Sequence, residues 1–312
     1  MQRWLVTGGA GFIGSHVVDR LRDDENADVR VLDDFSNGLR ANIAHHGSRV
    51  DVRDADLRDL DAVRSAVHGC DAVIHLGALG SVPRSLADPI TTNDVNIGGT
   101  LNVLIAARDA GVERVVFSSS SSVYGDTTTL PKVESMPGRP LSPYALSKFA
   151  GEEYCRIFST QFDVCAVTLR FFNVFGPRQR PDSQYAAVIP RWIAAMRNGE
   201  RPTVHGDGTQ TRDFTFVANN VDALIAAASA PADAVRGEVF NIACGARHSL
   251  LDLLHGINAG LGTAIEPVFA DPRPGDVRDS HAAIDKARTA FGYAPTVAFD
   301  RGLSKTIDAL TA

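Results

Sequence analysis

A tyrosine and a lysine one helical turn apart could carry proton chemistry in this chain. Tyr144 and Lys148 follow Ser142 and Pro143, which suit a helix N-cap and the first helical position. Residues i and i+4 share a helix face, so the phenol and the ammonium can point into one site. A free tyrosine, with a pKa of about 10, is a poor base at neutral pH. A neighbouring cation favours the phenolate and lowers that pKa, so the pair predicts a general base.

The first residues of the chain predict a dinucleotide-binding turn. A short apolar strand leads into Gly8, Gly11 and Gly14, and a helical pattern follows. Gly8 permits the tight turn, Gly11 lets the backbone approach a pyrophosphate, and Gly14 allows close helix–strand packing. The N-terminus of the helix then offers free N–H groups to the phosphates. The GxxGxxG spacing is the variant typical of short-chain dehydrogenases.

An acidic residue after the second strand indicates which dinucleotide binds. The strand 29–32 ends in Asp33. A carboxylate there can accept hydrogen bonds from the adenosine ribose hydroxyls and repels a 2′-phosphate. The sequence therefore predicts NAD as the cofactor, in preference to NADP.

Composition and charge indicate a globular protein and give no sign of a nucleic-acid-binding or membrane-binding function. The chain has 312 residues, 44% of them hydrophobic, and a net charge of −6. This is enough for a large core, in one large domain or two smaller ones. The charge gives no indication of a nucleic-acid or membrane partner, and an anionic ligand would have to be held by local arginines.

The cysteines predict neither a metal site nor a disulfide framework. Cys70, Cys155, Cys165 and Cys244 are scattered, without a CxxC motif. We expect buried thiols in a reducing compartment. We also expect a cytoplasmic protein, because no signal peptide and no membrane-spanning apolar run is recognised.

Strands and helices alternate through the first half of the chain. Strand-like runs occur at 72–76, 114–117 and 164–169, and a helical pattern spans 99–109. This alternation predicts a Rossmann-like α/β fold with a doubly wound parallel sheet. After residue 172 the pattern loosens, which predicts a second, smaller and irregular α/β lobe. We assign 1–172, with a returning segment at about 213–240, to the NAD-binding domain, and 173–212 with 241–312 to the second lobe.

Several motifs together resemble the extended short-chain dehydrogenases of the NAD-dependent epimerase/dehydratase kind, along nearly the whole chain. The matching segments are 7–16, 31–33, 56–57, 75–78, Asn96, the serine run 118–122 with Val123-Tyr124-Gly125, Tyr144-x3-Lys148, 171–177 and 212–214. The resemblance implies a cofactor site of Gly8, Gly11, Phe12, Ile13, Gly14, Asp33, Asp34, Asp56, Leu57, Leu76, Ala78, Asn96, Tyr144 and Lys148. Within it, Asp56 would contact the adenine, Asn96 would lie near the nicotinamide half, and Lys148 would bind the nicotinamide ribose.

The resemblance also implies a nucleotide-sugar site. Its members would be Gly80, Ser81, Ser121, Ser122, Asn173, Gln179, Val188, Arg212, Arg273, Asp276 and Ser280. Asn173, Arg212, Arg273 and Asp276 would hold the UDP part. Two arginines near a diphosphate make physical sense, because their forked donors match phosphate oxygens.

The residues after the catalytic serine distinguish the reactions of this family. Ser120 takes the catalytic position beside Tyr144 and Lys148. Nucleotide-sugar 4,6-dehydratases follow it with Asp and Glu, because eliminating water needs an acid and a base. Here Ser121 and Ser122 stand in those places, and UDP-glucuronate decarboxylases typically carry Glu at the second. The resemblance therefore implies a 4-epimerase.

The mechanism implied is redox-neutral. The Tyr144 phenolate would remove the proton of the sugar 4′-hydroxyl while NAD takes the hydride from C4. The 4-keto sugar would then turn about its bond to the diphosphate and receive the hydride on the opposite face, with Ser120 donating to or relaying a proton with O4.

The resemblance leaves more than one substrate open. Ser280 stands where epimerases restricted to UDP-glucose and UDP-galactose carry a tyrosine, and Gly80 replaces a lysine of those enzymes. Small side chains leave room for a 2-acetamido group. We expect UDP-GlcNAc/UDP-GalNAc interconversion, together with UDP-Glc/UDP-Gal. The alternatives are a UDP-glucuronic acid 4-epimerase, for which Arg178 and Arg180 could bind the carboxylate, and a non-catalytic NAD-binding sensor.

A homodimer is the remaining expectation from the resemblance. Relatives pair through the helix bearing the tyrosine and the helix after Asn96, which together form a four-helix bundle. The apolar positions that would fit this contact are Phe149, Ala150, Tyr154 and Phe158 on one helix and Leu101, Leu104 and Ile105 on the other.

Overall fold

A seven-stranded parallel sheet organises the chain in this computed structural model, which describes residues 2–23, 27–181, 187–271 and 278–311. The strands of this part of the chain are β1 (Arg3–Thr7), β2 (Asp28–Asp33), β3 (Val50–Asp54), β4 (Ala72–His75), β5 (Arg114–Ser120), β6 (Ala166–Phe171), β7 (Val174–Phe175), β8 (Thr203–His205), β9 (Thr211–Arg212), β10 (Thr215–Phe216), β11 (Val239–Ile242), β12 (His248–Ser249) and β13 (Val268–Ala270).

Helices cover both faces of the sheet and make up much of the rest. They are α1 (Phe12–Asp23), α2 (Leu60–Val67), α3 (Val82–Ala87), α4 (Pro89–Asn93), α5 (Gly99–Ala110), α6 (Pro143–Gln161), α7 (Val188–Arg197), α8 (Val217–Ser229), α9 (Ala232–Val235), α10 (Leu250–Leu261), α11 (Asp285–Phe291) and α12 (Phe299–Thr311). A π-helical turn, Asp94–Gly98, joins α4 to α5, and a 3₁₀ turn, Ser121–Tyr124, follows β5.

The order of the strands fixes where a ligand can bind. The sheet runs β3-β2-β1-β4-β5-β6-β11, so the chain leaves β1 in one direction and returns to β4 in the other. A parallel sheet of this kind opens a crevice at the carboxyl ends of the two strands where the order reverses. The predicted doubly wound Rossmann-like architecture is confirmed.

Hydrophobic burial explains why these segments form strands. Every residue of β4 and β6 is buried, which is typical of a sheet covered by helices on both faces. Several strand boundaries differ from the prediction, chiefly those of β5 and β6. β6 begins at Ala166, two residues later than expected, and β5 continues through Ser120. The serines extend the strand because the Ser118 and Ser119 hydroxyls find buried acceptors, at His75 O (3.2 Å) and Glu152 Oε1 (2.5 Å).

The rest of the chain contributes short elements around an aromatic cluster. Three two-stranded sheets pair β10 with β7, β12 with β9 and β13 with β8. Phe175, Phe214 and Phe299 pack against one another with ring centroids 5.5–6.2 Å apart. Between these elements the chain returns to the main sheet, where α8 packs on β5 and β6 and β11 pairs in parallel with β6.

The apolar positions predicted for a helix bundle are partly buried within the chain itself. Phe158 and Leu104 are buried in its own core. Phe149 packs closely on Gly138, where an added Cβ would lie 2.6 Å from the ring. The remaining predicted positions are half-buried. Other apolar side chains of the same region are exposed instead, among them Ile90 and Leu146.

All four cysteines are free thiols, three of them buried and Cys244 only half-buried. Among the residues described, no helix combines the length and the apolar character that crossing a bilayer requires.

Candidate active site

A cavity of about 800 Å³ opens at the carboxyl ends of β1, β4 and β5. Its walls come from the glycine turn after β1, the acidic end of β2, the serine run of β5, the start of α6 and the segment after β7. This is the crevice that the strand order predicts, and it is large enough for a nucleotide-sized ligand.

The glycine turn leaves no room for side chains. Gly8 has a positive φ of 68°, and a Cβ on it would lie 2.8 Å from Gly77 N. A Cβ on Gly14 would lie 2.1 Å from Gly8 O, and one on Gly11 would lie 3.1 Å from the same oxygen. The bare backbone therefore forms a cradle in front of α1, whose first residues line the cavity, and a helix N-terminus in this position suits a diphosphate.

Carboxylates surround the far end of this cradle. Asp33 accepts hydrogen bonds from Ala10 N and Phe35 N, both at 2.9 Å. Burial raises the pKa of Asp33 despite these bonds, and the nearby Asp34 and Asp54 act in the same direction. The cluster is suited to ribose hydroxyls, which donate hydrogen bonds, and repels an added phosphate.

Other predicted cofactor residues also lie at the cavity. They are Phe12, Ile13, Asp34, Asp56, Leu57, Leu76 and Ala78. The Asp56 carboxylate is held by Arg58, whose Nε lies 2.9 Å from Oδ2, and this hydrogen bond lowers the pKa of Asp56. The cradle, the ribose-facing carboxylates and the apolar walls together fit a dinucleotide.

The predicted cofactor residue Asn96 does not reach the cavity. Its buried side chain accepts from Leu79 N (2.8 Å) and donates to Leu79 O (3.2 Å) and to Ser147 Oγ (2.9 Å). Its neighbour Val95 lines the cavity instead. Because Asn96 joins the loop after β4 to α6, it shapes the cavity wall from behind.

The hydroxyl of Ser120 lies between Ser122 and Tyr144. Ser120 Oγ accepts from Ser122 N (3.2 Å) and from Ser122 Oγ (2.9 Å). Burial raises the pKa of the Tyr144 phenol, and a hydrogen bond with Ser120 opposes that shift. Since Ser120 already accepts two hydrogen bonds, its own proton is directed to the phenol or to a ligand in the cavity.

Lys148 stands beside this pair, but burial leaves the pKa of Tyr144 raised and not lowered, contrary to the expectation from the sequence. Its Nζ donates to Ser118 O at 2.8 Å and lies 5.0 Å from the centre of the Phe117 ring. Burial lowers the pKa of Lys148 to about 8, while Cys155 and Glu152 act to raise it. The ammonium of Lys148 thus holds the end of β5. Burial is the largest influence on the pKa of the Tyr144 phenol.

The substrate side of the cavity brings together part of the predicted set. Gly80, Ser121, Asn173 and Gln179 line it. Gln179 Oε1 is buried and has no hydrogen-bond partner among the described residues, and the same holds for Nη1 of the neighbouring Arg178. Buried polar groups are normally paired, so these two atoms indicate where a polar ligand is accommodated.

The other predicted substrate residues do not line the cavity. Ser81 caps α3, Ser122 supports Ser120, and Val188 packs against the core. Arg212 donates to the carbonyls of Thr211 and Arg278. Ser280 lies behind the wall, where its Oγ accepts from Asn173 Nδ2 at 3.3 Å. Arg273 and Asp276 lie outside the described residues.

Sequence reasoning missed several residues of the wall. They include Ser36, Asn37 and Gly38 after β2, and Arg84, Val95 and Phe171. The turn at 36–38 could have been found, because Ser, Asn and Gly in succession mark a turn and follow directly on the predicted Asp33. A Cβ on Gly38 would lie 2.8 Å from Asp33 Oδ1, so this turn closes over the carboxylate.

A group of metal-ligand type lies away from this cavity, although no metal site was predicted. Asp19, His45 and His46 place one ligand atom each within 4.8 Å of one another. Both histidines approach Asp19 Oδ1, at 2.9 and 2.8 Å, and Arg178 approaches Oδ2 at 2.6 Å. The carboxylate is thus already paired, and it anchors the loop of Arg178 to α1.

Comparison with known proteins gives a consistent result. The family model "NAD dependent epimerase/dehydratase family" matches residues 4–243. The chain is 39% identical to a UDP-glucose 4-epimerase of Mycolicibacterium smegmatis, over 98% of this chain and 97% of that one.

Solved structures agree over the whole length. A UDP-N-acetylglucosamine 4-epimerase from Methanobrevibacter ruminantium M1, in complex with UDP-N-acetylmuramic acid, is 38% identical with a TM-score of 0.93, and the match covers 99% of this chain and 98% of that one. A UDP-glucuronic acid 4-epimerase from Bacillus cereus, in complex with UDP-glucuronic acid and NAD, is 32% identical with a TM-score of 0.92, covering 99% of both. The chain therefore belongs to the NAD-dependent epimerase/dehydratase family.

Proposed function

We propose that this protein is an NAD-dependent UDP-hexose 4-epimerase that interconverts UDP-GlcNAc and UDP-GalNAc, and also UDP-Glc and UDP-Gal. The observation that carries the proposal is the set Tyr144, Ser120 and Lys148 at the end of β5, with Ser121 and Ser122 following. Serines cannot act as the acid and base of a dehydration, whereas epimerisation at C4 needs only one proton acceptor beside the cofactor.

Three side chains of the site have different roles in the transfer of the hydroxyl proton. Bound NAD supplies hydride acceptance and return at C4 of the sugar. Tyr144 takes the proton of the 4′-hydroxyl, and Ser120, whose oxygen already accepts from Ser122 Oγ at 2.9 Å, offers its proton to O4. Lys148, buried and bonded to Ser118 O, adds the positive charge that favours the phenolate when the proton leaves.

The preference for acetylated sugars rests on open space. A Cβ built on Gly80, which lines the cavity, would meet no atom within 4 Å. Ser280 is small and lies behind Asn173, so it does not push that side chain into the cavity. The relative from M. ruminantium, named as a UDP-N-acetylglucosamine 4-epimerase, supports this choice.

The alternative is a UDP-glucuronic acid 4-epimerase. Three arginines line the cavity, Arg84, Arg178 and Arg180, and the buried Nη1 of Arg178 has no partner among the described residues. A guanidinium in this position could bind a C6 carboxylate. The UDP-glucuronic acid 4-epimerase of B. cereus favours the same candidate.

The proposed function assigns a different ligand to each of two parts of the chain. We assign NAD to residues 1–172 with the returning segment at about 213–240, and the nucleotide sugar to 173–212 and 241–312. The glycine cradle and the carboxylates after β2 support the first assignment. The position of Asn173 and Gln179 at the cavity supports the second. Four free thiols fit a reducing compartment such as the cytoplasm.

We also infer a homodimer formed by α4, α5 and α6, in which exposed apolar side chains join the predicted positions of α5 and α6. Ile90 is 74% exposed, Leu86 is 63% exposed and Leu146 is 52% exposed. Ile90 and Leu86 lie beside α6, because α3 and α4 both pack on it. Apolar side chains this exposed and this close together mark an interface. Analytical ultracentrifugation of the protein and of Ile90→Asp tests it, since the variant should sediment as a monomer.

The function is tested by NMR of the purified protein with UDP-GlcNAc, UDP-Glc and UDP-GlcA in parallel, first without and then with added NAD. The proposal expects UDP-GalNAc from UDP-GlcNAc, and turnover of UDP-GlcA alone would favour the alternative. Tyr144→Phe is the control, because it keeps the ring and removes the proton acceptor. We expect it to lose about a thousandfold in kcat. No turnover under any condition would support the NAD-binding sensor.

A further inference from the structure

The end of β5 is attached to α6 through successive residues. Lys148 Nζ donates to Ser118 O at 2.8 Å, and the next serine, Ser119, donates its hydroxyl to Glu152 Oε1 at 2.5 Å. Tyr144, Lys148 and Glu152 follow one another at intervals of four residues, so they share one face of the helix. Glu152 is the one member of this face that the proposed chemistry does not use.

Glu152 forms a desolvated ion pair beneath the site. Arg170 Nε donates to Oε1 at 2.9 Å and Nη2 donates to Oε2 at 2.6 Å, with side chains that are 2% exposed for Glu152 and 5% for Arg170. Burial opposes the charged form of Arg170, but the bonds to Glu152 raise its pKa. Such a pair is held in one geometry, because two parallel hydrogen bonds fix the fork of the guanidinium.

Arg170 is fixed from its other side as well. Its guanidinium lies 4.5 Å from the centre of the buried Tyr124 ring. Tyr124 donates to Asn241 Oδ1 at 2.7 Å, and Asn241 Nδ2 donates to Lys132 O at 3.0 Å and Ala283 O at 3.3 Å. The pair therefore belongs to a buried polar network that extends from the serine run to the C-terminal part of the chain.

The charge of Glu152 acts on Lys148. Glu152 lies one helical turn from Lys148 and raises its pKa. The Cys155 thiol also lies near Lys148. Burial raises the pKa of this thiol to about 12, so it is neutral at physiological pH and carries no charge that could act on Lys148. Of these two neighbours of Lys148, only the Glu152 carboxylate is charged. The guanidinium of Arg170 balances its negative charge. Removing either charge alone leaves the other unbalanced near Lys148, in a medium of low polarity.

We propose that Glu152 and Arg170 are a positioning pair for the active site. Glu152 holds Ser119 in place and thereby aligns the neighbouring Ser120 with Tyr144. Because its two charges balance, the pair also sets the pH range in which Tyr144 is ionised and Lys148 is protonated. The kinetic part of this inference rests on the proposed function, whereas the part about ionisation needs no substrate.

The first test changes one charge and keeps the shape. In Glu152→Gln the amide oxygen still accepts from Ser119, but Arg170 loses its counter-charge. The site becomes more positive, so Tyr144 should ionise about one pH unit lower. Tyrosinate absorbance of the NAD-loaded protein measures this, with the same variant carrying Tyr144→Phe subtracted. In the double variant Glu152→Gln/Arg170→Gln the two changes cancel, and Tyr144 should ionise as in the unsubstituted protein.

The second test changes the hydrogen bond and keeps both charges. Ser119→Ala removes the bond that fixes the strand end, so Ser120 loses its alignment. We expect kcat to fall about tenfold, with KM and the ionisation of Tyr144 unchanged.

The outcomes separate the possibilities. If Glu152→Gln leaves the ionisation of Tyr144 where it was, or the double variant does not restore it, the pair does not set the charge state. If Ser119→Ala keeps full kcat, Glu152 does not act through Ser119. A purely structural pair would lower the melting temperature in all variants without either change. If Glu152→Gln fails to fold, the double variant and Ser119→Ala still decide. A protein that turns over no UDP-sugar overturns the proposed function, and the titration of Tyr144 still tests the pair.

Discussion

The two sides of the cavity are built by different means. On the cofactor side the backbone itself forms the wall, and a Cβ on Gly14 would lie 2.1 Å from Gly8 O. On the substrate side, side chains form the wall, and a Cβ on Gly80 would meet nothing within 4 Å. The cofactor side can therefore hardly vary, whereas the substrate side can change its ligand by changing single side chains.

The largest effect should come from filling the rigid wall. Gly14→Ala places a methyl group against a backbone carbonyl that cannot move without disturbing β1 and α1, so we expect a loss of about 3–5 kcal/mol and no NAD binding. Gly80→Ala is the matched control and should change neither. Thermal unfolding and NAD titration measure both. Equal behaviour of the two variants would contradict the comparison.

A smaller but selective effect is expected on the substrate side. Ser280→Tyr would press on Asn173, whose Nδ2 donates to Ser280 Oγ at 3.3 Å, and would narrow the cavity. We expect kcat/KM for UDP-GlcNAc to fall about a hundredfold, and that for UDP-Glc to change only a few-fold. Ser280→Ala controls for the lost hydroxyl. An undiminished rate with the acetylated sugar would remove the argument for a roomy pocket.

The choice of cofactor should respond to one charge. Asp33→Asn keeps an acceptor for Ala10 N but removes the carboxylate that repels a 2′-phosphate. Binding of NADP should then improve relative to NAD by about tenfold, which is the magnitude of a single partly screened charge. Fluorescence titration with the two reduced dinucleotides gives the ratio. An unchanged ratio would mean that Asp34 or another group discriminates.

The smallest effect concerns a buried carboxyl that does not line the cavity. Asp213 accepts from Cys244 N (2.9 Å), Gly245 N (3.2 Å) and Ala282 N (3.3 Å), yet burial raises its pKa to about 6. A raised pKa means that the folded state binds the proton more tightly than the unfolded chain does. The contribution of Asp213 to stability is therefore greatest below about pH 4 and declines until about pH 6.

Asp213→Asn removes this titration. We expect the melting temperature of the unsubstituted protein to fall by about 2–4 °C between pH 4 and 6 relative to the variant. Melting curves in matched buffers measure the difference. Parallel curves across this range would show that Asp213 is ionised in the folded protein throughout.

The same contrast explains what the sequence could predict. The fold, the glycine turn and Asp33 follow from periodicity and from residues adjacent in the chain, because local spacing fixes which of them meet. The substrate side depends on contacts between distant segments, such as Asn173 with Ser280, 107 residues apart.

In other places the structure differs from the prediction because a single side chain has a hydrogen-bond partner that the sequence does not reveal. Asn96 was expected at the cofactor, but its amide is satisfied by Leu79 and Ser147. Lys148 was expected to lower the pKa of Tyr144, but burial raises that pKa, and the Lys148 ammonium also donates to the carbonyl of Ser118. Neither partner could be read from spacing, since each lies on another element of the fold. Glu152 gave no signal of function either, although it follows Lys148 by one turn.

The central claim is that hydrogen leaves C4 of the sugar as hydride and returns to the same carbon within one closed site. The most direct measurement is turnover of UDP-GlcNAc in D₂O, with NMR detection of C4 in the product. We expect UDP-GalNAc that carries ordinary hydrogen at C4, because the hydride does not exchange with solvent. Deuterium at C4 would mean that the carbon was deprotonated by a side chain, and would contradict the hydride mechanism.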